Sequence, residues 1–303
     1  MPQSVPVRRI QVADVTRLTP RMARITFGGA ALADFTYDAP DLQAKLCFPR
    51  PGQKVPQLPE PVTDDEYGMR WYQSYLAIPE PERPWMRQFT IRSHHPGDGT
   101  IAVDFILHGD DGPASRWGSS AEVGDEVGMV GPSPVFAQPV PFDRCDWLLL
   151  AGDETALPAI GTLLEALPDG KTAIVYAEVA DAAEEQQFET NGDVTVHWLH
   201  RDGEPAGKST VLVEAVTGAE LPSGNGRAWL AGEAGSVRAL RRHLVDERGL
   251  PKPSVDFTGY WRLQHTQDDA PTEEDMADAQ ERLANAQAEV EAYIEEAVPP
   301  EPA

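Results

Sequence analysis

Between residues 147 and 247, short apolar runs alternate with helical stretches, and this alternation restricts the fold more than any other feature of the sequence. Residues 147–151, 173–179, 194–199 and 228–231 read as strands, with helices over 157–167, 211–216 and 236–247. Strands that are apolar along their whole length and separated by helices form a parallel sheet covered on both faces. Sheets of this kind bind nucleotides at the carboxyl ends of their strands, where this chain carries Gly152-Asp153 and Gly232-Glu233.

The first half has a different grammar. Residues 7–15, 23–27 and 45–48 are strand-like pieces separated by turn residues, as in an antiparallel meander or Greek-key barrel. Residues 51–84 are rich in proline and polar residues, with an aromatic patch at 67–75, and read as a long surface excursion. From Arg87 the pattern predicts a strand over 87–92, a turn at 96–99 and a second strand over 100–107. Pro113-Ala114-Ser115 then opens a helix, and free N–H groups at such a corner point along the axis as an anion site. Residues 121–130 and the turn Gly131-Pro132-Ser133-Pro134 close the barrel, and Pro139 and Pro141 mark its boundary. The expected division is therefore 1–140 barrel, 141–262 α/β domain and 263–303 acidic extension.

That extension holds twelve Asp or Glu and one Arg from residue 268 onward, out of a formal net charge of −24. Met276, Leu283, Val290 and Ile294 recur at helical spacing, which predicts a helix capped at Thr272, with Glu274 and Asp275 in its first turn. Its narrow apolar stripe is expected to pack on the protein. The acidic balance argues against nucleic acid and anionic membrane as partners. No apolar run is long enough to span a membrane, and residues 1–9 lack the apolar core of a signal peptide, so the expected location is the cytoplasm. Cys47 and Cys145 are the two cysteines, without a Cys-x-x-Cys pair, which excludes a cysteine-ligated iron–sulfur cluster and leaves two buried thiols. His94 and His95 are adjacent, and none of the seven histidines has metal-ligand spacing, so no protein-bound metal is expected.

Arg87-Gln88-Phe89-Thr90 resembles the Arg-x-Tyr/Phe-Thr/Ser flavin motif of ferredoxin-reductase-like barrels. Three further stretches, Lys45 to Gly52, Ala151 to Ala159 and Gly259 to Arg262, together with His108-Gly109 and Gly112 to Trp117, are similar to the siderophore-interacting protein family of FAD-dependent ferric-siderophore reductases. The resemblance spans roughly residues 5 to 265. It implies an FAD-binding Greek-key β-barrel followed by a Rossmann-like parallel α/β domain, and reduction of a ferric siderophore to release Fe(II), with NADH or NADPH as donor. A flavin suits this task because a hydride carries two electrons and Fe(III) accepts one.

By the same resemblance Arg87 binds the FAD phosphates, Phe89 packs on the flavin or ribityl region, and Thr90 is the catalytic residue near the flavin N5. Ala114 and Ser115 hold the pyrophosphate, and Gln88, His108, Pro113 and Thr155 complete the cofactor set. Gly152, Glu178 and Gly232 are the implied nucleotide contacts, Glu178 as an acceptor for ribose hydroxyls. Asp153 and Glu154 add negative charge where a pyrophosphate approaches. Lys45, Arg50 and Arg262 are the cations of the substrate shelf. Many family members carry a further basic residue where this chain has Ser133, which tilts the substrate from a triscatecholate toward a hydroxamate. A monomer is the expected working unit. Two alternatives stay open: a general flavin-dependent reductase for another acceptor, and a siderophore-binding module without redox function.

Overall fold

A computed structural model describes residues 5–37, 39–63, 65, 68–107, 112–132, 141–266 and 268–297, with the side chains of the last helix followed to residue 288. In chain order the main elements begin with β1 (Val7–Thr19), β2 (Met22–Gly28), β3 (Gln43–Phe48), α1 (Met69–Leu76), β4 (Trp85–Thr90), β5 (Ser93–His95), β6 (Thr100–Ile106), α2 (Pro113–Ser120) and β7 (Glu126–Val130). There follow β8 (Trp147–Gly152), α3 (Leu157–Glu165), β9 (Thr172–Val179), β10 (Asp193–His200), α4 (Val211–Thr217), β11 (Gly226–Glu233), α5 (Ala234–Arg242), β12 (Val255–Trp261) and α6 (Glu273–Ala297). The chain packs into two units. The first comprises 1–141 with 154–169 and 181–192, and the second the remaining segments.

In the first unit seven strands pair antiparallel in the order β4-β3-β7-β1-β2-β6-β5. The hairpin expected between 87–92 and 100–107 is not formed: β4 pairs with β3, and the short β5 pairs with β6 instead. The reason lies at two residues. Ile91 N–H donates to Leu42 O at 2.7 Å and Arg92 N–H to Ala102 O at 2.8 Å, so the chain changes partners within one step and joins the two ends of the strand order. Ile91 is fully buried there. Arg92 is held by Glu165 at 2.9 Å, while Asp104 takes both arms of Arg24 at 2.7 and 2.9 Å and so raises the Arg24 pKa.

An aromatic cluster fills one end of this unit. Phe105 sits 4.6 Å from Phe89, 5.7 Å from Trp117, 6.1 Å from Phe48 and 6.4 Å from Phe27, ring centre to ring centre. One ring network thereby joins β2, β3, β4, β6 and α2. Helix α2 comes so close to β6 that a Cβ on Gly118 would lie 2.9 Å from the Phe105 ring.

The excursion over 51–84 is a correction to the surface reading. It contains α1, whose Trp71 and Tyr75 are buried in a cluster with Cys47 and Val130. The Asp65 carboxylate accepts from Trp71 N–H at 2.9 Å and Arg70 N–H at 3.3 Å, supplying the cap that Gly68 cannot.

In the second unit five parallel strands run in the order β10-β9-β8-β11-β12. The order reverses between β8 and β11, which is a topological switch point. β8, 0–3% exposed along its apolar residues, explains why the periodicity was continuous.

Helix α6 starts where the sequence predicts. Asp275 N–H donates to Thr272 Oγ1 at 3.2 Å, and Thr272 N–H donates to Asp275 Oδ2 at 2.8 Å, a reciprocal capping box. Its apolar stripe, however, does not pack as expected: Met276 is 50% and Leu283 61% exposed. The side chains of Val290 and Ile294 lie outside the described residues. The acidic face of α6 holds it instead, with Glu274, Asp275, Asp278 and Glu281 meeting arginines of α5 and of the segment after β12, and Asn285 adds a bond to Lys252 O at 3.5 Å. Among the described residues no helix is long and apolar enough to cross a membrane.

Candidate functional site

The first unit brings the β3 and β4 residues of the implied cofactor and substrate set together by register. Thr90 lies opposite Gln43, Gln88 opposite Lys45 and Leu46 opposite Arg87. Opposed residues of an antiparallel pair share a face, and successive residues alternate. Arg87 and Phe89 therefore lie on the core side, Phe89 6.0 Å from Phe48, while Gln88 and Thr90 share the other face with Gln43 and Lys45. Arg87 is half-buried and donates to Met86 O at 2.8 Å, and the Gln88 amide donates to the Gln43 side chain. Thr90 is buried, and no hydrogen bond from its hydroxyl is recorded among the described residues.

The aromatic cluster fixes α2 over this ribbon through Trp117, which stacks on Phe27 at 6.2 Å and tilts against Phe48 at 5.2 Å. Pro113 opens the helix, and Gly112 before it has no side chain with which to cap the first turn. Ala114 packs against the core, and Ser115 is buried. The N-terminus of a helix carries partial positive charge and is suited to an anion. These features fit a phosphorylated flavin: a helix N-terminus behind a glycine, an arginine on a neighbouring strand and a buried threonine. Thr155 is half-buried and belongs to the same unit. His108 and Ser133 lie outside the described residues, as does Pro139.

Of the substrate cations, Lys45 reaches the Tyr72 ring of α1, 5.7 Å from its centre. Burial lowers its pKa, although its surface is open to solvent. Sequence reasoning did not single out Tyr72, since an aromatic within a polar excursion carries no sign of which strand it faces. Arg50 stacks on Trp85 at 4.3 Å and donates to Arg83 O at 2.5 Å. Cys47, beside Lys45 in sequence, is buried, and burial pushes its thiol up to about 12, so it is inert.

The second unit holds Gly152, Glu178, Gly232 and Arg262. Gly152 ends β8, and Gly232 is the last residue but one of β11, at the switch point. Asp153 occupies the crevice between them. Its Oδ2 accepts from Glu233 N–H and from the Trp261 indole N–H, each at 2.8 Å. Gly232 has φ 135°, and a Cβ there would lie 2.7 Å from the same oxygen. Glu233 in turn accepts from Ser236 N–H at 2.9 Å, capping α5. Two of the chain's own carboxylates thus take the Glu233 and Ser236 N–H groups and the Trp261 indole N–H at this end of the sheet. Glu178 is buried and bonded to Arg201 at 3.3 Å, so its carboxylate is already engaged. Arg262 is bound by Asp275 of α6 and also donates to Thr266 O at 3.0 Å.

Comparison with known proteins agrees with these features. Residues 11–136 match the model of the siderophore-interacting FAD-binding domain, and residues 145–264 match that of the siderophore-interacting protein. A ferric vibriobactin reductase of Vibrio cholerae is 29% identical over 248 residues, 81% of this chain and 85% of that protein. An NADPH-dependent ferric-chelate reductase of Escherichia coli is 28% identical over 267 residues, 85% of this chain and 93% of that one. The crystal structure of a siderophore utilization protein from T. fusca is 32% identical and superposes with a TM-score of 0.74, covering 89% of this chain and 97% of that chain.

Proposed function

The chain belongs to the siderophore-interacting protein family, and on that premise we propose that it reduces a ferric siderophore to release Fe(II), with electrons passing from NADH or NADPH through FAD. The names of the Vibrio cholerae and Escherichia coli relatives support the reaction, the second also the donor. The observation that carries the cofactor assignment is the Gly112-Pro113 start of α2, a helix N-terminus fixed by aromatic rings beside the Arg87 to Thr90 strand. Arg87 and the N–H groups of Ala114 and Ser115 would hold the FAD phosphates, and Phe89 and Thr90 its ring system. FAD would supply the conversion of a two-electron donor into a one-electron supply.

The substrate is a hydroxamate-type ferric siderophore in preference to a triscatecholate. Lys45 and Arg50 are the cations of the first unit's shelf, whereas the charge of Arg262 is already compensated by Asp275. Such a shelf has little positive charge with which to attract a polyanion. Because its nucleotide donor is intracellular, the reaction belongs in the cytoplasm. A monomer is the working unit, since a net charge of −24 opposes association of two copies.

An anaerobic spectral titration tests the assignment. NADPH, then NADH, is added to the flavin-loaded protein, followed by a ferric trihydroxamate and a ferrous trap. Bleaching of the flavin band, and recovery of colour as the ferrous complex appears, is the expected result. Equal rates with ferric citrate and dyes would instead indicate a general flavin reductase. A protein that binds the chelate but no flavin would be a carrier.

A further inference from the structure

We propose that α6 is an electrostatic filter, which by neutralising Arg262 and its neighbours biases the chain toward neutral ferric chelates and against polyanionic ones. The proposal rests on the reading of Arg262 as part of the substrate shelf. Its basis is how the helix is attached. Arg238 of α5 reaches three carboxylates at once: Asp278 at 2.7 Å, Asp275 at 2.8 Å and Glu274 at 2.9 Å. Arg241 pairs with Glu281, and Arg262 with Asp275. Four carboxylates therefore face three guanidinium groups, and the patch is net negative with α6 in place and strongly basic without it.

The apolar side of α6 offers no competing explanation for the docking. Met276 and Leu283 point to solvent, and the capping box at Thr272 and Asp275 stabilises the helix locally. Attachment thus combines these ion pairs with contact against residues 252–254, where the Asn285 amide donates to Lys252 O at 3.5 Å, and the pairs are partly open to solvent, Glu274 being 75% exposed. Partly exposed pairs are individually weak and are screened by salt. An arrangement like this costs little to modulate, and it places negative charge against the cation that an anionic chelate would seek.

The test uses the full-length, FAD-loaded protein carrying Glu274→Gln and Asp278→Asn, with Glu274→Gln alone as a second, milder variant. Neither residue belongs to the proposed cofactor or substrate site. KM is measured for a neutral ferric trihydroxamate and for a ferric triscatecholate, with NADPH as donor and a ferrous trap. For a strongly anionic chelate bound at Arg262, taking a separation on the order of 10 Å, removing two negative charges changes its affinity about fivefold at physiological salt. The double variant should therefore lower the triscatecholate KM about fivefold, leave the trihydroxamate KM unchanged, and lose the distinction in about 0.5 M salt. Equal shifts for both chelates, or no shift, would overturn the filter and leave α6 as a structural latch. If the unmodified protein reduces neither chelate, the reductase assignment fails. Binding titrations by tryptophan fluorescence quenching then decide the filter separately, with the same selective fivefold change required.

Discussion

Replacing Gly118 with alanine sets helix propensity against packing, and the structure indicates which should win. Alanine within a helix is favoured over glycine by about 1 kcal/mol. The added Cβ, however, would lie 2.9 Å from Cδ1, 3.2 Å from Cγ and 3.3 Å from Cβ of Phe105. That ring is 1% exposed and packed among Phe27, Phe48, Phe89 and Trp117, so it has no free direction in which to move. Overpacking of a rigid core costs about 1–3 kcal/mol, and the upper part of that range applies here. The net effect should be a destabilisation of about 1–2 kcal/mol, or a fall in Tm of about 3–6 °C. Because the same contact positions the start of α2, FAD should dissociate more readily as well. The assay is thermal release of flavin fluorescence together with an FAD titration. Gly97→Ala serves as the control, since nothing lies within 4 Å of a Cβ built there. Adding Phe105→Leu to Gly118→Ala should recover part of the loss. A Gly118→Ala protein that melts at or above the unmodified temperature would show that the helix–strand contact is slack, and the argument for a fixed anion site would fall with it.

Arg87→Ala should lower FAD occupancy sharply, read as the ratio of flavin to protein absorbance; occupancy at the original stoichiometry would remove Arg87 from the site. Asp153→Asn keeps the side-chain size but weakens the bonds to Glu233 N–H and the Trp261 indole, so a loss of about 1–2 kcal/mol is expected in chemical denaturation. The same change should lower the KM for NADPH by removing a negative charge from the crevice, and a KM that rises would contradict that account. For Asp275, burial works to raise the pKa, but the bonds from Thr272 and the charges of Arg262 and Arg238 outweigh it, so the carboxyl titrates below the ordinary 3.8. Its contribution to α6 docking is thus fully present above 3.8 and disappears as pH falls through its lower folded value. A dye placed by Leu283→Cys should therefore gain mobility only at strongly acidic pH, and release near neutrality would refute this. Burial lowers the Lys45 pKa below 10.5, so affinity for an anionic chelate should decline with rising pH earlier than an ordinary lysine allows; Lys45→Gln should flatten that profile.

Much of this architecture was legible because it is written in local periodicity. The continuous apolar runs of β8, β9 and β11 are buried on both faces, while the edge strand β10 alternates exposed and half-buried residues, and Thr272 with Asp275 announced the helix start. Local pattern reports that a face is apolar, but not what covers it. The partner change between Ile91 and Arg92 depends on Leu42 and Ala102, far away in sequence, so the strand after Arg87 was paired with the wrong neighbour. For the same reason the burial of Trp71 and Tyr75 within a polar excursion was invisible. In α6 the more numerous acidic residues, rather than the apolar stripe, found complementary groups. Asp153 is instructive in another way: beside Gly152 it reads as a repulsive charge, yet in the fold it is an acceptor satisfied by two N–H donors.

The way the chain divides between its two units bears on how such a protein can be reassembled by recombination. The barrel's unit includes 154–169 and 181–192, both encoded downstream of the apparent boundary at 141. Within that unit Thr19 Oγ1 and Arg21 N–H both donate to Glu184, Asp41 N–H donates to Thr162 Oγ1, and Arg92 donates to Glu165. A gene spliced at codon 141 would separate these donors from their acceptors and replace them with whatever the new downstream half encodes. The two halves are therefore not interchangeable cassettes: exchange between relatives is expected to succeed only when the acceptors at 162, 165 and 184 travel with the barrel they serve.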